Sequence, residues 1–168
     1  MPITIVSNIG NGLSVPKLEK AENAAGGIKI SWKAVSGAEK YRVYRKAKGA
    51  TAWTRLGDVS ATTYIDKTKL ESGVTYTYTV RAVRGESTSY FEVDGISTVK
   101  LDIPKLKSAK KYDGVQVSWG AVSGAEKYYI YRKIPGNPWS KIGESESTSY
   151  TDNTKFEDRK STRLNSSH

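Results

Sequence analysis

The residue types that most often perform catalysis are scarce in this chain. There is no cysteine, and the only histidine is His168, at the end of the sequence. Catalytic triads, dyads and zinc sites built from these side chains are therefore excluded. The sequence also contains no glycine-rich phosphate loop of the Walker or dinucleotide type. We predict that the chain is not an enzyme, and that it has no cofactor and no metal site.

Carboxylates are the remaining groups that could act as a paired acid and base. Asp66 follows Tyr64 by two positions, and Asp152 follows Tyr150 in the same way. An aspartate just after an apolar-rich run is typical of a turn in which the carboxylate accepts a hydrogen bond from nearby backbone. We therefore expect both aspartates to stabilise turns and not to act on a substrate.

A second kind of chemistry is recognition by exposed aromatic and basic side chains. Stacking on a sugar ring is possible for four aromatic residues: Tyr44, Trp53, Tyr131 and Trp139. Contacts to anionic groups are possible for four basic neighbours: Arg45, Lys46, Arg132 and Lys133. Packing of the same rings against neighbouring strands is the alternative explanation, since cross-strand aromatic pairs stabilise sheets.

The chain is basic, with 27 Lys and Arg against 17 Asp and Glu, a net charge of +10. Such an excess can attract polyanions, because bound counterions are released when basic residues neutralise them. The charges are interspersed along the chain instead of forming one block. We therefore expect a solvated basic surface, and nucleic-acid binding is the weakest of the functions considered.

The sequence contains an internal repeat. Residues 32–46 read WKAVSGAEKYRVYRK and residues 119–133 read WGAVSGAEKYYIYRK, with 12 of 15 positions identical at a spacing of 87. Flanking motifs recur as well, since Pro16-Lys17-Leu18 returns as Pro104-Lys105-Leu106. A repeat of this length is the size of a domain and not of a solenoid turn.

Apolar residues in the first repeat alternate with polar ones, which is the pattern of half-buried antiparallel strands. Runs of this kind occur over 28–34, 41–44 and 76–83, and glycine-containing turn signals separate them. Seven short strands without a helical pattern predict an all-β fold of the β-sandwich type. The alternation places six aromatic residues on the inner face: Trp32, Tyr41, Tyr76, Tyr78, Trp119 and Tyr128.

These residues resemble the fibronectin type III pattern, an immunoglobulin-like β-sandwich. Trp32 in the second strand, Tyr41-x-Val43 in the third, and Leu70 six residues before Tyr76 match it. The resemblance implies that Leu70 and Tyr76 form a tyrosine corner, in which the Tyr hydroxyl ties a turn to nearby backbone. The segments GAEKYRVYRK and GAEKYYIYRK resemble the tandem repeats of bacterial surface and cell-wall-associated proteins, as in gut Firmicutes.

The repeat divides the chain into four segments. Residues 15–102 are expected to form a complete fibronectin type III-like domain, and residues 103–157 a second, truncated one. Residues 1–14 resemble the closing strand of a preceding repeat. Residues 158–168, DRKSTRLNSSH, depart from the repeat and resemble the translation of a sequencing adapter, so they are expected to be non-native.

The resemblance implies a non-catalytic spacer or interaction module of a larger secreted or cell-surface bacterial protein. Its expected partners are neighbouring domains of the same chain. Binding of carbohydrate or cell-wall polymer is the alternative, with cell-wall or host glycans as ligands. No signal peptide and no membrane span are recognisable in the sequence, so an extracellular location is expected from the resemblance alone.

Overall fold

The computed structural model describes residues 9–10, 12–111 and 113–155. The chain divides into two compact units, Met1–Asp102 and Ile103–His168. The segment 158–168 expected to be non-native lies outside the described residues, as does most of the segment 1–14. All regular elements in the described part are strands, as the sequence predicts.

The described residues of the first unit form ten strands. They are β1 (Ile9–Gly10), β2 (Leu13–Ser14), β3 (Leu18–Ala24), β4 (Gly27–Trp32), β5 (Lys40–Ala47), β6 (Thr54–Val59), β7 (Thr63–Asp66), β8 (Thr75–Arg84), β9 (Ser87–Thr88) and β10 (Ile96–Val99). The strands β4, β5 and β8 fall on the alternating runs of the sequence.

Two antiparallel sheets form the β-sandwich of the first unit. One has the order β3-β4-β7, and the other has the order β10-β8-β5-β6, with the short β9 added beside β8. The register of the larger sheet places Tyr41 opposite both Val59 and Ala82. A bulge in the pairing of β5 with β6 follows Val43. Such a bulge changes which side chains face one another across the strands.

The core lies between these sheets. It contains Ile28, Ile30 and Trp32 from β4 and Val43 from β5, each at most 2% exposed. The inward positions predicted for the aromatic residues of this unit are confirmed: Trp32, Tyr41, Tyr76 and Tyr78 are all buried. The rings of Trp32 and Tyr41 meet edge to face, with centroids 5.4 Å apart, a favourable arrangement for aromatic pairs.

Leu13 is also part of this core and is completely buried. The strands β1 and β2 pair with each other, with Gly10 opposite Leu13. The side chain of Leu13 therefore contributes apolar burial to the first unit, although residues 1–14 resemble the closing strand of another repeat.

The turn before β8 is tied to that strand by a tyrosine hydroxyl. The backbone N–H of Glu71 donates a hydrogen bond to the Tyr76 hydroxyl at 3.0 Å. Leu70, next to Glu71, packs partly buried against the core. This is the geometry that the tyrosine corner requires.

The second unit repeats part of this arrangement. Its described strands are β11 (Leu106–Lys111), β12 (Val115–Trp119), β13 (Tyr128–Arg132), β14 (Ser140–Ser145) and β15 (Ser149–Asp152). They form a sheet of order β11-β12-β15 and a two-stranded sheet of β13 and β14. Trp119 is buried and meets Tyr128, which is only half-buried, edge to face at 5.4 Å.

Candidate functional site

A polar network lies inside the first unit, centred on the fully buried Asp66. Its carboxylate accepts hydrogen bonds from Arg45 Nη1 at 2.8 Å and from the Tyr78 hydroxyl at 2.9 Å. The backbone N–H of Thr68 donates to the other carboxylate oxygen at 3.1 Å. The Thr68 hydroxyl bonds both that oxygen and Arg45. Every partner is a residue of the sandwich itself, so the network holds strands together.

Two opposing effects set the protonation of this network. Burial raises the pKa of Asp66, but the hydrogen bonds from Arg45, Thr68 and Tyr78 together lower it below its ordinary value. Burial also raises the pKa of Tyr78, and the neighbouring Asp66 carboxylate raises it further. The pair is therefore a carboxylate accepting from a neutral phenol.

The second unit repeats the central ion pair. Asp152 accepts a hydrogen bond from Arg132 Nη1 at 2.7 Å and one from the Thr154 backbone at 3.0 Å. The prediction that Asp66 and Asp152 bond their own nearby backbone is confirmed. In both units, the arginine that directly follows Tyr44 or Tyr131 pairs with an internal aspartate.

This pairing changes the interpretation of two candidate anion contacts. Arg45 and Arg132 are committed to internal aspartates, with side chains 19% and 25% exposed. Arg45 also lies over the ring of Tyr76, 5.4 Å from its centroid. Arg45 lies two residues after the buried Val43 on β5, and strand alternation directs both side chains to the inner face. We therefore remove both arginines from the candidate anion contacts.

The remaining candidates of the first unit lie on the outer face of the larger sheet. Tyr44 and Trp53 line a shallow pocket of about 100 Å³, together with Thr79, Arg81 and Phe91. Both predicted rings are half-buried. The pocket thus brings Tyr44 of β5, which the sequence predicted to face outward, together with residues of β8 and with Phe91 from the loop before β10.

The rings in this pocket are in contact with other side chains. Lys46 Nζ lies 4.5 Å from the centroid of Trp53, and Trp53 meets Phe91 edge to face at 6.1 Å. The guanidinium of Arg81 lies 4.5 Å from the Phe91 centroid. Such cation–π contacts hold a basic group close to an apolar surface. The pocket therefore combines aromatic surface with positive charge.

Beside the pocket, one carboxylate is surrounded by three basic side chains. Asp58 accepts two hydrogen bonds from Arg42, at 3.0 and 3.2 Å. It also pairs with Arg55 at 3.0 Å and with Lys40 at 3.1 Å. The bond from Arg42 lowers the pKa of Asp58 despite some burial, and Lys40 and Arg55 lower it further. The cluster keeps a net positive charge.

In the second unit, the corresponding side chains are more exposed. Tyr131 is 54% and Trp139 is 66% exposed, and Lys133 is exposed as well. Nearby, Lys141 and Lys127 both pair with Glu144, at 3.1 and 3.6 Å. The bond from Lys141 and the charge of Lys127 lower the pKa of Glu144.

Sequence reasoning missed Arg81, Thr79, Phe91 and the carboxylate Asp58. Arg81 could have been found, because it alternates with the buried Val80 and Ala82 on β8, whereas Thr79 is itself buried. Phe91 lies in the loop between β9 and β10, where no periodicity indicates its direction. The partners of Asp58 depend on the register of β5 with β6, which the sequence does not reveal.

Two negative findings concern the described residues alone. Within them, no group of His, Asp and Glu side chains is arranged to hold a metal ion. The same residues contain no helix with the length and hydropathy needed to cross a membrane.

Comparison with known proteins gives distant structural similarities. No family model matches the chain, and no curated protein matches its sequence. Among solved structures, the chain is similar to titin kinase with its flanking domains, at 13% identity and a TM-score of 0.39, covering 62% of this chain and 27% of that one. It is also similar to the FN1–FN3 domains of chicken CNTN1, at 17% identity and a TM-score of 0.39, covering 82% and 57%. The chain thus spans between a quarter and three fifths of these structures.

Proposed function

We propose that this chain is a non-catalytic spacer and interaction module of a larger secreted or cell-surface bacterial protein. Its partners would be neighbouring domains of the same chain, and its role would be to keep them apart along a stiff connection. The observation that carries this proposal is the attachment of the segment leaving the first unit, residues 99–102.

The side chain of Asn23 clamps this segment from β3. Its Nδ2 donates to the Val99 carbonyl at 2.7 Å, and its Oδ1 accepts from the Leu101 backbone N–H at 2.7 Å. The Lys100 backbone N–H donates to Val74, and that of Asp102 donates to the Ser72 hydroxyl. The chain is therefore bonded to the first unit as far as Asp102.

Little free chain remains before the second unit begins. Ile103 follows Asp102 directly, and Pro104 has a fixed φ that also biases the preceding residue toward extended geometry. A segment bonded to the first unit up to Asp102 and followed by proline has few unrestrained backbone torsions. These local restraints support the spacer half of the proposal.

Backbone ¹⁵N relaxation on the whole chain tests the spacer. Residues 100–102 should have order parameters close to those of β8, and Asn23→Ala should lower them because both side-chain bonds are lost. Asn137→Ala, in an exposed turn of the second unit, is the matched control and should leave them unchanged. Residues 100–102 as mobile as a free tail in the unmodified chain would refute the spacer.

Binding of polysaccharide is the second candidate function. It is supported by the solvent-exposed rings of Tyr131 and Trp139, which are available for contact with a sugar. Nucleic-acid binding is less well supported, because Asp58 and Glu144 place carboxylates inside the basic clusters, where they would repel closely spaced phosphates.

A further inference from the structure

The two units keep the same residue classes on one outer face. Each unit has its own copy of this face, here called the aromatic-basic face, on the outer side of the β5–β6 pair in the first unit and of the β13–β14 pair in the second. Six equivalent positions retain their class: Lys40 and Lys127, Tyr44 and Tyr131, Lys46 and Lys133, Trp53 and Trp139, Arg55 and Lys141, Asp58 and Glu144. One position changes class, from Arg42 to Tyr129.

The opposite outer face retains its residue classes less well. On the sheets β3-β4-β7 and β11-β12-β15, two outward positions keep their class: Ser31 and Ser118, Thr63 and Ser149. Four change class: Lys20 and Ser108, Glu22 and Lys110, Lys29 and Gln116, Ile65 and Thr151. Divergence without a functional requirement would change both faces to a similar extent. The better retention of the aromatic-basic face therefore indicates a stronger requirement on that face.

The backbone positions the retained residues in the same way in both units. Tyr44 lies opposite Arg55, and Tyr131 lies opposite Lys141. A bulge precedes each tyrosine, at Val43/Tyr44 and at Ile130/Tyr131. Each unit thus presents an aromatic ring directly across from a cation.

We propose that the aromatic-basic face binds a polysaccharide that carries carboxylates. Lysine and arginine side chains would pair with the carboxylates of the sugar. The carboxylates of Asp58 and Glu144 would accept hydrogen bonds from its hydroxyls. The exposed rings of Tyr131 and Trp139 would cover the apolar face of a pyranose, as amphipathic aromatic side chains can.

The charge pattern distinguishes this ligand from other polyanions. Double-stranded DNA carries about one charge per 1.7 Å, which favours an uninterrupted basic surface. Here each basic cluster contains a carboxylate, Asp58 or Glu144, that is retained in both units. A polysaccharide has fewer charges and many hydroxyl donors, so it fits a surface that mixes cations, a carboxylate and aromatic rings.

The inference rests on the interaction half of the proposed function, and its test is independent of the spacer. Binding is measured by calorimetry on the whole chain with polygalacturonate as the probe. The same polymer in methyl-esterified form keeps its sugar rings but loses its negative charge. We expect saturable binding of polygalacturonate and binding at least about tenfold weaker for the ester.

Two pairs of variants locate the site. Tyr131→Ala with Trp139→Ala should weaken binding about tenfold, while Leu106→Ala, an apolar residue 78% exposed on the opposite sheet, should not change it. Lys46→Gln with Lys133→Gln should also weaken binding. Lys29→Gln with Lys110→Gln removes the same charge from the opposite face and should have little effect.

Several outcomes would overturn the proposal. No binding of polygalacturonate, or equal binding of its methyl ester, would exclude a carboxylated polysaccharide. Equal loss in the Lys29 and Lys110 variants would exclude the aromatic-basic face as the site. Tighter binding of polyglutamate or of duplex DNA would assign the face to an acidic peptide or to nucleic acid. None of these results would alter the order parameters that test the spacer.

Discussion

The phenol of Tyr78 donates a hydrogen bond of 2.9 Å to the carboxylate of Asp66, and both side chains are completely buried. The bond joins β8 of the larger sheet to β7 of the three-stranded sheet across the core of the first unit. An apolar interior increases the cost of an unpaired polar group. Removal of one partner would therefore take away a hydrogen bond between the two sheets and leave the other polar group less well paired in the core.

Replacing Tyr78 with Phe should destabilise the first unit by about 1–3 kcal/mol, because one donor to the buried carboxylate is lost. The free energy of unfolding is measured by urea titration, read from the amide signals of β4 and β8, so that it reports the first unit alone. Tyr90→Phe, at a ring 54% exposed, is the control. A loss no larger than that of the control would show that the bond adds no stability.

The pH dependence of stability follows from the same carboxylate. The pKa of Asp66 is lower in the folded state, so its contribution is present above the unfolded value of about 4 and is lost as the pH falls through the folded pKa. Unfolding free energy should thus decrease below about pH 4. Asp66→Asn should reduce this dependence. It should also lower the free energy of unfolding at pH 7 by about 3–5 kcal/mol, because the mostly buried Arg45 loses its carboxylate partner. An unchanged acid profile would contradict this origin.

A methyl group at Gly27 should be poorly tolerated. A Cβ built there would lie 1.8 Å from the carbonyl oxygen of Asp66, a backbone atom that cannot move aside without shifting β7. We expect Gly27→Ala to destabilise the first unit by more than about 3 kcal/mol, as severe overpacking does. Gly57→Ala is the matched control, because its Cβ would meet only the Tyr64 hydroxyl at 4.0 Å. Similar urea midpoints for the two variants would refute the steric argument.

The cluster around Asp58 should contribute weakly and in a salt-dependent way. Asp58→Asn removes the partner of Arg42, Arg55 and Lys40, and it should cost about 1 kcal/mol at low salt because these pairs lie at the surface. Added salt should narrow the difference between the variant and the unmodified chain, since it screens exposed charges. The comparison is made by urea titration at low and at high sodium chloride. A difference that persists at high salt would assign the effect to hydrogen bonding.

Local pattern was enough to predict the strands and the core aromatic residues. Tyr76, Tyr78 and Val80 alternate with threonines, so the sequence indicates which of them face inward, and all three are buried. The prediction that no common catalytic or zinc site exists rests on composition, because a chain without cysteine cannot supply thiolates wherever it folds. These features depend on neighbours in sequence or on residue types alone.

Other features depend on which strands become neighbours, and only the tertiary structure decided them. Alternation along β5 directs Arg45 inward, but its partner Asp66, 21 residues further along the chain, is known only once β7 lies beside it. Trp53 acquires Phe91 as a neighbour because the loop before β10 returns to the same sheet face. The register and the bulge after Val43 determine that Tyr44 faces Arg55. Because such contacts join distant segments, no local pattern in the sequence contains them.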